Sequence, residues 1–140
     1  MRITLINPNT SRAMTAKIAA AAREAAGPGV VIDAVCPETG AAAIESHVDE
    51  VLAAAAVVDL VRQDQQAGGS DAYVIACFGD PGLDAARELV DVPVIGIAEA
   101  AMHAATLADV PSPSSRPSAA RSAAHVTSWH ATAWATRPSG

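Results

Sequence analysis

Two short segments carry residue types from which an active site could be built. The first is Tyr73-Val74-Ile75-Ala76-Cys77-Phe78-Gly79-Asp80-Pro81-Gly82, where an apolar run delivers a thiol into a glycine-containing loop. A thiolate is a nucleophile and can also act as a base toward an acidic C–H. Successive backbone N–H groups and the start of a helix after Gly82 would stabilise that thiolate and lower the pKa of Cys77. Gly79 and Gly82 let backbone approach a ligand, and Asp80 between them can orient amides. Free cysteine is also among the most buried residue types, so a thiol packed within a strand is the competing reading. The second segment is Asn7-Pro8-Asn9-Thr10-Ser11. Its two amides and two hydroxyls at a helix start form either a cradle for carboxylate, carbonyl or ureido groups or a simple capped turn.

Other chemistries find less support. The Asn7 segment lacks the glycines of a dinucleotide fingerprint and the lysine of a phosphate loop. No His, Cys and carboxylate spacing matches a zinc site, and no Gly-x-Ser-x-Gly elbow is present. No metal is therefore expected, and nucleotide binding has little support. Cys36 ends an apolar run before Pro37 and reads as a bystander thiol. His47 lies between Glu45 and Asp49 and reads as part of a solvated helix start, and His103 as a surface residue.

The elements that must position these residues alternate in type. Ile3-Thr4-Leu5-Ile6 is a short strand stopped by Asn7-Pro8-Asn9, and Thr10 or Ser11 caps a helix reaching about residue 26. Gly27-Pro28-Gly29 ends it. A strand over 30–35 precedes a helix that starts near Ala43 or Ser46 and runs to Gln66, with an apolar stripe at Val48, Leu52, Ala55 and Val58. Residues 73–77 form a strand apolar on both faces, as a central parallel strand should be. A short helix over 83–89, a strand over 92–97 and a helix over 98–107 complete the pattern. The order βαβαβαβα predicts an α/β fold, an open parallel sheet with flanking helices. The two chemical segments then follow strands one and three at the same edge, where ligands of such sheets bind.

Composition sets the outer limits. The 140 residues suit one domain and are 51% hydrophobic with a mean hydropathy of +0.25. Alanine supplies 34 of the apolar residues and aromatics only 3% of the chain, which points to a thin core with close helix–sheet contacts. A net charge of −6 and a pI near 5.0 argue against a nucleic-acid surface or an anionic membrane. No apolar run approaches the roughly 20 residues of a membrane span. Two unpaired cysteines and no visible secretory leader make the cytoplasm the expected compartment. The alternating pattern stops at residue 109. Residues 109–140 hold seven Ser, seven Ala, four Pro and both Trp, without Leu, Ile, Met, Phe, Glu or Lys. Such a low-complexity segment is expected to be a disordered tail or the product of a shifted reading frame.

Several stretches together resemble a known family. They are Ile3-Thr4-Leu5-Ile6-Asn7-Pro8-Asn9-Thr10-Ser11 with Met14-Thr15, Ile44-Glu45-Ser46, Val74-Ile75-Ala76-Cys77-Phe78-Gly79-Asp80-Pro81-Gly82, and Pro93-Val94-Ile95-Gly96-Ile97-Ala98-Glu99-Ala100. In order and spacing, residues 1–108 are similar to the aspartate/glutamate/hydantoin racemase superfamily, most nearly its hydantoin and allantoin racemase branch. The resemblance implies a cofactor-independent racemase of two similar α/β lobes, with one thiol from each lobe flanking the substrate. One thiolate removes a proton from a carbon next to a carbonyl, and the opposite thiol returns one to the other face. Cys77 matches the first-lobe catalytic cysteine. Asn7, Asn9, Thr10 and Ser11 match the substrate-facing loop, with Phe78, Gly79 and Asp80 beside the thiol. The implied partner is a small molecule, a cyclic ureide or amino-acid derivative. Nothing after Leu107 matches a second lobe or a second catalytic cysteine, so the expected chain is the N-terminal lobe of a racemase, truncated and impaired. The alternative expectation is a non-catalytic α/β remnant or small-molecule-binding module. A homo-oligomer joined through an uncovered apolar face is the third.

Overall fold

The computed structural model describes residues 1–108, and the expectations for residues 109–140 fall outside the described residues. The elements are β1 (Arg2–Ile6), α1 (Arg12–Ala25), β2 (Val31–Val35), α2 (His47–Gln66), β3 (Ala72–Ile75), α3 (Leu83–Arg87), β4 (Val94–Gly96) and α4 (Ile97–Ala108). The four strands form one sheet in the order β2-β1-β3-β4, and every pair is parallel. The α/β open sheet is thus as the sequence pattern required.

Local chemistry explains the boundaries. The Ser11 hydroxyl accepts the Met14 N–H and starts α1. Ser46 and Asp49 form a reciprocal capping box at the head of α2, which begins at His47 and not at Ala43. β3 is shorter than expected. Its last ladder bond runs from the Ala76 N–H to the Ile6 carbonyl at 2.8 Å, and the chain then turns at Cys77. The cysteine therefore sits beyond the strand, half-buried, and not packed within it. β4 covers only three residues because α4 starts directly after Gly96.

Side chains alternate along the strands and build a core on each face. Ile6, Tyr73, Ile75 and Val94 join Val57 and Val61 of α2 and Leu83 and Ala86 of α3 on one side. Leu5, Ile32 and Ala76 pack with Ile18 and Ala22 of α1 on the other. The fully buried Tyr73 hydroxyl donates to Asp64 at 2.7 Å and accepts from Gln65, while Arg2 bridges Asp64 and Asp33. These polar links tie β1, β2 and β3 to the end of α2.

The expected stripe on α2 is the wrong face. Val48 and Leu52 are exposed, as is Ala55, and the buried residues are Ala53, Val57 and Val61. The run Val51-Leu52-Ala53-Ala54-Ala55-Ala56-Val57-Val58 is apolar around most of the helix, so periodicity does not choose a side; the Tyr73 and Leu83 side chains do. No described helix is long and apolar enough to cross a membrane. Val57→Ala should cost about 2 kcal/mol in chemical unfolding through lost burial and a residual cavity, while Val48→Ala should leave the midpoint nearly unchanged. Equal losses at both positions would contradict this assignment of faces.

Candidate active site

The sheet order places a topological switch between β1 and β3. From β1 the chain moves outward to β2, then crosses back over β1 to β3. The loops after β1 and β3 therefore flank the crevice at the carboxyl edge, the general ligand position in such sheets. Both chemical segments occupy those loops.

The first loop is turned largely onto itself. Asn7 is almost fully buried, and its side-chain amide donates to Asn9 Oδ1 at 2.8 Å and Thr15 Oγ1 at 3.0 Å. Asn9 Oδ1 also accepts the Ser11 N–H at 2.9 Å. The Thr10 hydroxyl donates to the Ala41 carbonyl, and Ser11 caps α1. These bonds stiffen the entrance to α1.

The second loop opens onto a cleft of about 320 Å³, within the roughly 300–1,000 Å³ range of small-ligand pockets. Cys77, Phe78, Gly79 and Pro81 form one wall. Ile44, Glu45, Ser46, His47 and Glu50, at the head of α2, form the other. The structure thus brings Cys77, Phe78 and Gly79 together around one space. Asn7, Asn9, Thr10, Ser11 and Asp80 are not among its lining residues. Phe78 is 75% exposed at the rim.

The α2 wall was not singled out for chemistry in the sequence, where His47 read as a solvated helix start. The signal was available. Ser46 and Asp49 announce a helix N-terminus, and a helix that returns across a parallel sheet begins at the strands' carboxyl edge, beside any ligand.

The expected lowering of the Cys77 pKa is overturned. Partial burial, the Asp80 carboxylate and the Glu50 carboxylate push the thiol above its ordinary value. The loop N–H groups that should have held a thiolate are used elsewhere. Those of Gly79 and Asp80 both donate to the Cys77 carbonyl at 3.0 Å. The following helix α3 has five residues, too short for a substantial dipole.

Asp80 itself faces away from the cleft toward α4. Its Oδ1 accepts the Ala98 N–H at 3.0 Å and its Oδ2 the Glu99 N–H at 2.8 Å. Cys36 lines separate clefts on either side of β2, with Arg12, Arg23 and Glu38 on one and Asp59 and Gln63 on the other. Among the described residues, no three His, Cys, Asp or Glu side chains gather as a metal site would require.

The electrostatic account is directly testable. In a Cys36→Ser background, Glu50→Gln removes one of the two charges that oppose thiolate formation. The pH profile of Cys77 alkylation should move to lower pH; an unchanged profile would show that the Glu50 charge does not reach the thiol.

Comparison with known proteins points the same way. The family model for Asp/Glu/hydantoin racemases matches residues 3–114. The hydantoin racemase of Paenarthrobacter aurescens is 50% identical over 103 residues, which are 74% of this chain and 44% of that protein. The hydantoin racemase of Pseudomonas sp. strain NS671 is 49% identical over 107 residues, 76% of this chain and 43% of that protein. Among solved structures, the allantoin racemase from Klebsiella pneumoniae superposes with a TM-score of 0.73 at 59% identity, covering 76% of this chain and 43% of its own. Allantoin racemase from Pseudomonas fluorescens gives 0.72 at 39% identity, with 76% and 45% covered. The chain spans less than half the length of these relatives. On these matches, it belongs to the Asp/Glu/hydantoin racemase family, in the branch that holds the hydantoin and allantoin racemases.

Proposed function

We propose that this chain supplies one of the two proton-transferring thiols of a cofactor-independent racemase, and that Cys77 is that thiol. The observation that carries the reading is the placement of Cys77 on the wall of the cleft at the carboxyl edge of the sheet. The substrate class is a five-membered cyclic ureide of the hydantoin or allantoin kind, in keeping with the names of the relatives.

The chemistry is a pair of proton transfers. A thiolate on one face takes the proton from the stereocentre, and the C–H electron pair moves into the adjacent carbonyl as an enolate. A thiol on the opposite face then gives a proton to the same carbon. No electrons leave the substrate, so the step needs no redox partner. Ser46 and His47 lie on the opposite wall of the cleft, at the head of α2. Phe78 at the rim offers an apolar surface to the ring or its substituent. Asp80 and Glu50 beside it favour the protonated thiol of Cys77, which acts as the acid toward one enantiomer and, once it has given up that proton, as the base toward the other.

A second reading is favoured by the same electrostatics. A thiol held neutral on one wall of a cleft also suits a module that binds the ureide without turning it over. Incubating the full chain with an enantiopure 5-substituted hydantoin, or with allantoin, in D₂O separates the two. Deuterium uptake at the stereocentre that disappears in Cys77→Ser and persists in Cys36→Ser supports the proton-transfer role. Uptake at the same rate in Cys77→Ser sinks it. Binding without uptake would establish the second reading.

A further inference from the structure

We propose that Asp80 is a positioning residue: by receiving the first N–H groups of α4, it locks the loop that carries Cys77 in place and acts on the reaction only through that thiol. The inference rests on Cys77 being the proton-transferring group, and it gives Asp80 a role other than contact with substrate.

Four observations converge on it. First, Asp80 has a φ of +45°, and it is the one described non-glycine residue in the left-handed region. Asp and Asn tolerate that region better than other residues, but the conformation still needs support from its surroundings. Second, both carboxylate oxygens are committed, to the N–H groups of Ala98 and Glu99. Because α4 begins directly after β4, the residue before it is Gly96, which has no side chain to offer as a cap. A carboxylate from a loop eighteen residues upstream does the capping.

Third, the fit is reciprocal. A Cβ on Gly96 would lie 2.2 Å from the Asp80 carboxyl carbon and 2.3 and 2.5 Å from its oxygens. Only glycine leaves room for the carboxylate. Fourth, the link from Asp80 to the thiol is short and hydrogen-bonded, since the Asp80 N–H donates to the Cys77 carbonyl at 3.0 Å. The far end of the loop is held as well. Gly82, at φ +75°, lies so close to α2 that a Cβ there would meet the Ala54 carbonyl oxygen at 2.8 Å. The loop is gripped between α4 and α2, with Cys77 at its head.

Alkylation of Cys77 in a Cys36→Ser background tests the proposal without requiring turnover. Failure of the wild-type chain to exchange deuterium would therefore sink the functional reading and leave this test intact. The ionisable groups facing the thiol are Asp80 on its own loop and Glu45, His47 and Glu50 at the head of α2; Glu99 on α4, whose N–H Asp80 receives, is paired with Arg87. Asp80→Gly accepts the backbone angle and removes the cap, so the alkylation rate on the alkaline plateau should rise several-fold as the thiol leaves its seat. Gly96→Ala expels the carboxylate with its charge intact and should raise the plateau likewise. Asp80→Asn keeps an acceptor oxygen and should restore the wild-type plateau, while its pH profile moves to lower pH because the charge is gone.

Unchanged plateau rates in both Asp80→Gly and Gly96→Ala, with only a lower melting temperature, would show Asp80 to be a helix cap and nothing more, and would overturn the proposal. If those two variants do not fold, Asp80→Ser, whose shorter side chain cannot span both N–H groups, decides on the same plateau: a raised rate supports the proposal and an unchanged rate overturns it.

Discussion

The parallel pairing of β1 with a strand on each side is the constraint from which the rest of this structure follows. A parallel strand must return to its starting edge through a crossover, so every strand ends and every helix begins at the same edge. With β1 between β2 and β3, the loops after β1 and β3 diverge and leave a crevice. The head of α2 is brought to that crevice by the same rule. Neither Cys77 nor Glu50 could be moved to another edge without undoing a crossover. The alanine-rich composition fits this arrangement. Ala53, Ala72, Ala76, Ala86 and Ala98 are all buried, and small side chains let helices lie close to the sheet.

Within that frame, the electrostatics of the cleft are set by what the backbone has already used. Hydrogen-bond donors near the thiol satisfy the Cys77 carbonyl, the first loop satisfies itself, and the carboxylates remain. A neutral thiol is the low-energy state of such a place, because a thiolate would sit partly desolvated beside two negative charges. The proposed reaction needs one proton donor and one acceptor at the substrate carbon at any moment, and a protonated Cys77 would serve as the donor.

Much of the fold was legible because its signals are local. Ser11, Ser46 with Asp49, and the glycines at 27, 29, 68 and 69 mark helix ends through their own side chains or their lack of one. The apolar run before Cys77 marks a central strand. The candidate site was legible as a place: the end of β3, with a thiol leading into a glycine-containing loop. Its interior was not. The direction of the Gly79 and Asp80 N–H groups depends on how tightly the chain turns after Ala76, and no residue type announces that. The Glu50 charge reaches Cys77 across 27 positions of sequence, and Asp80 finds its partners on a helix not yet formed when the loop is read locally. The α2 face was hidden for another reason: an apolar majority all around the helix leaves the choice to tertiary packing.

Tyr73 is the one tyrosine in the chain, and both tryptophans, Trp129 and Trp134, lie in the last 32 residues. The phenol is fully buried and donates to Asp64, so its near-ultraviolet spectrum senses whether β3 is docked against α2. Indole light emission reports on the C-terminal segment alone. Indole emission, excited beyond the phenol's absorption, thus follows that segment without an added label, and replacing both tryptophans leaves Tyr73 as the reporter of the sheet.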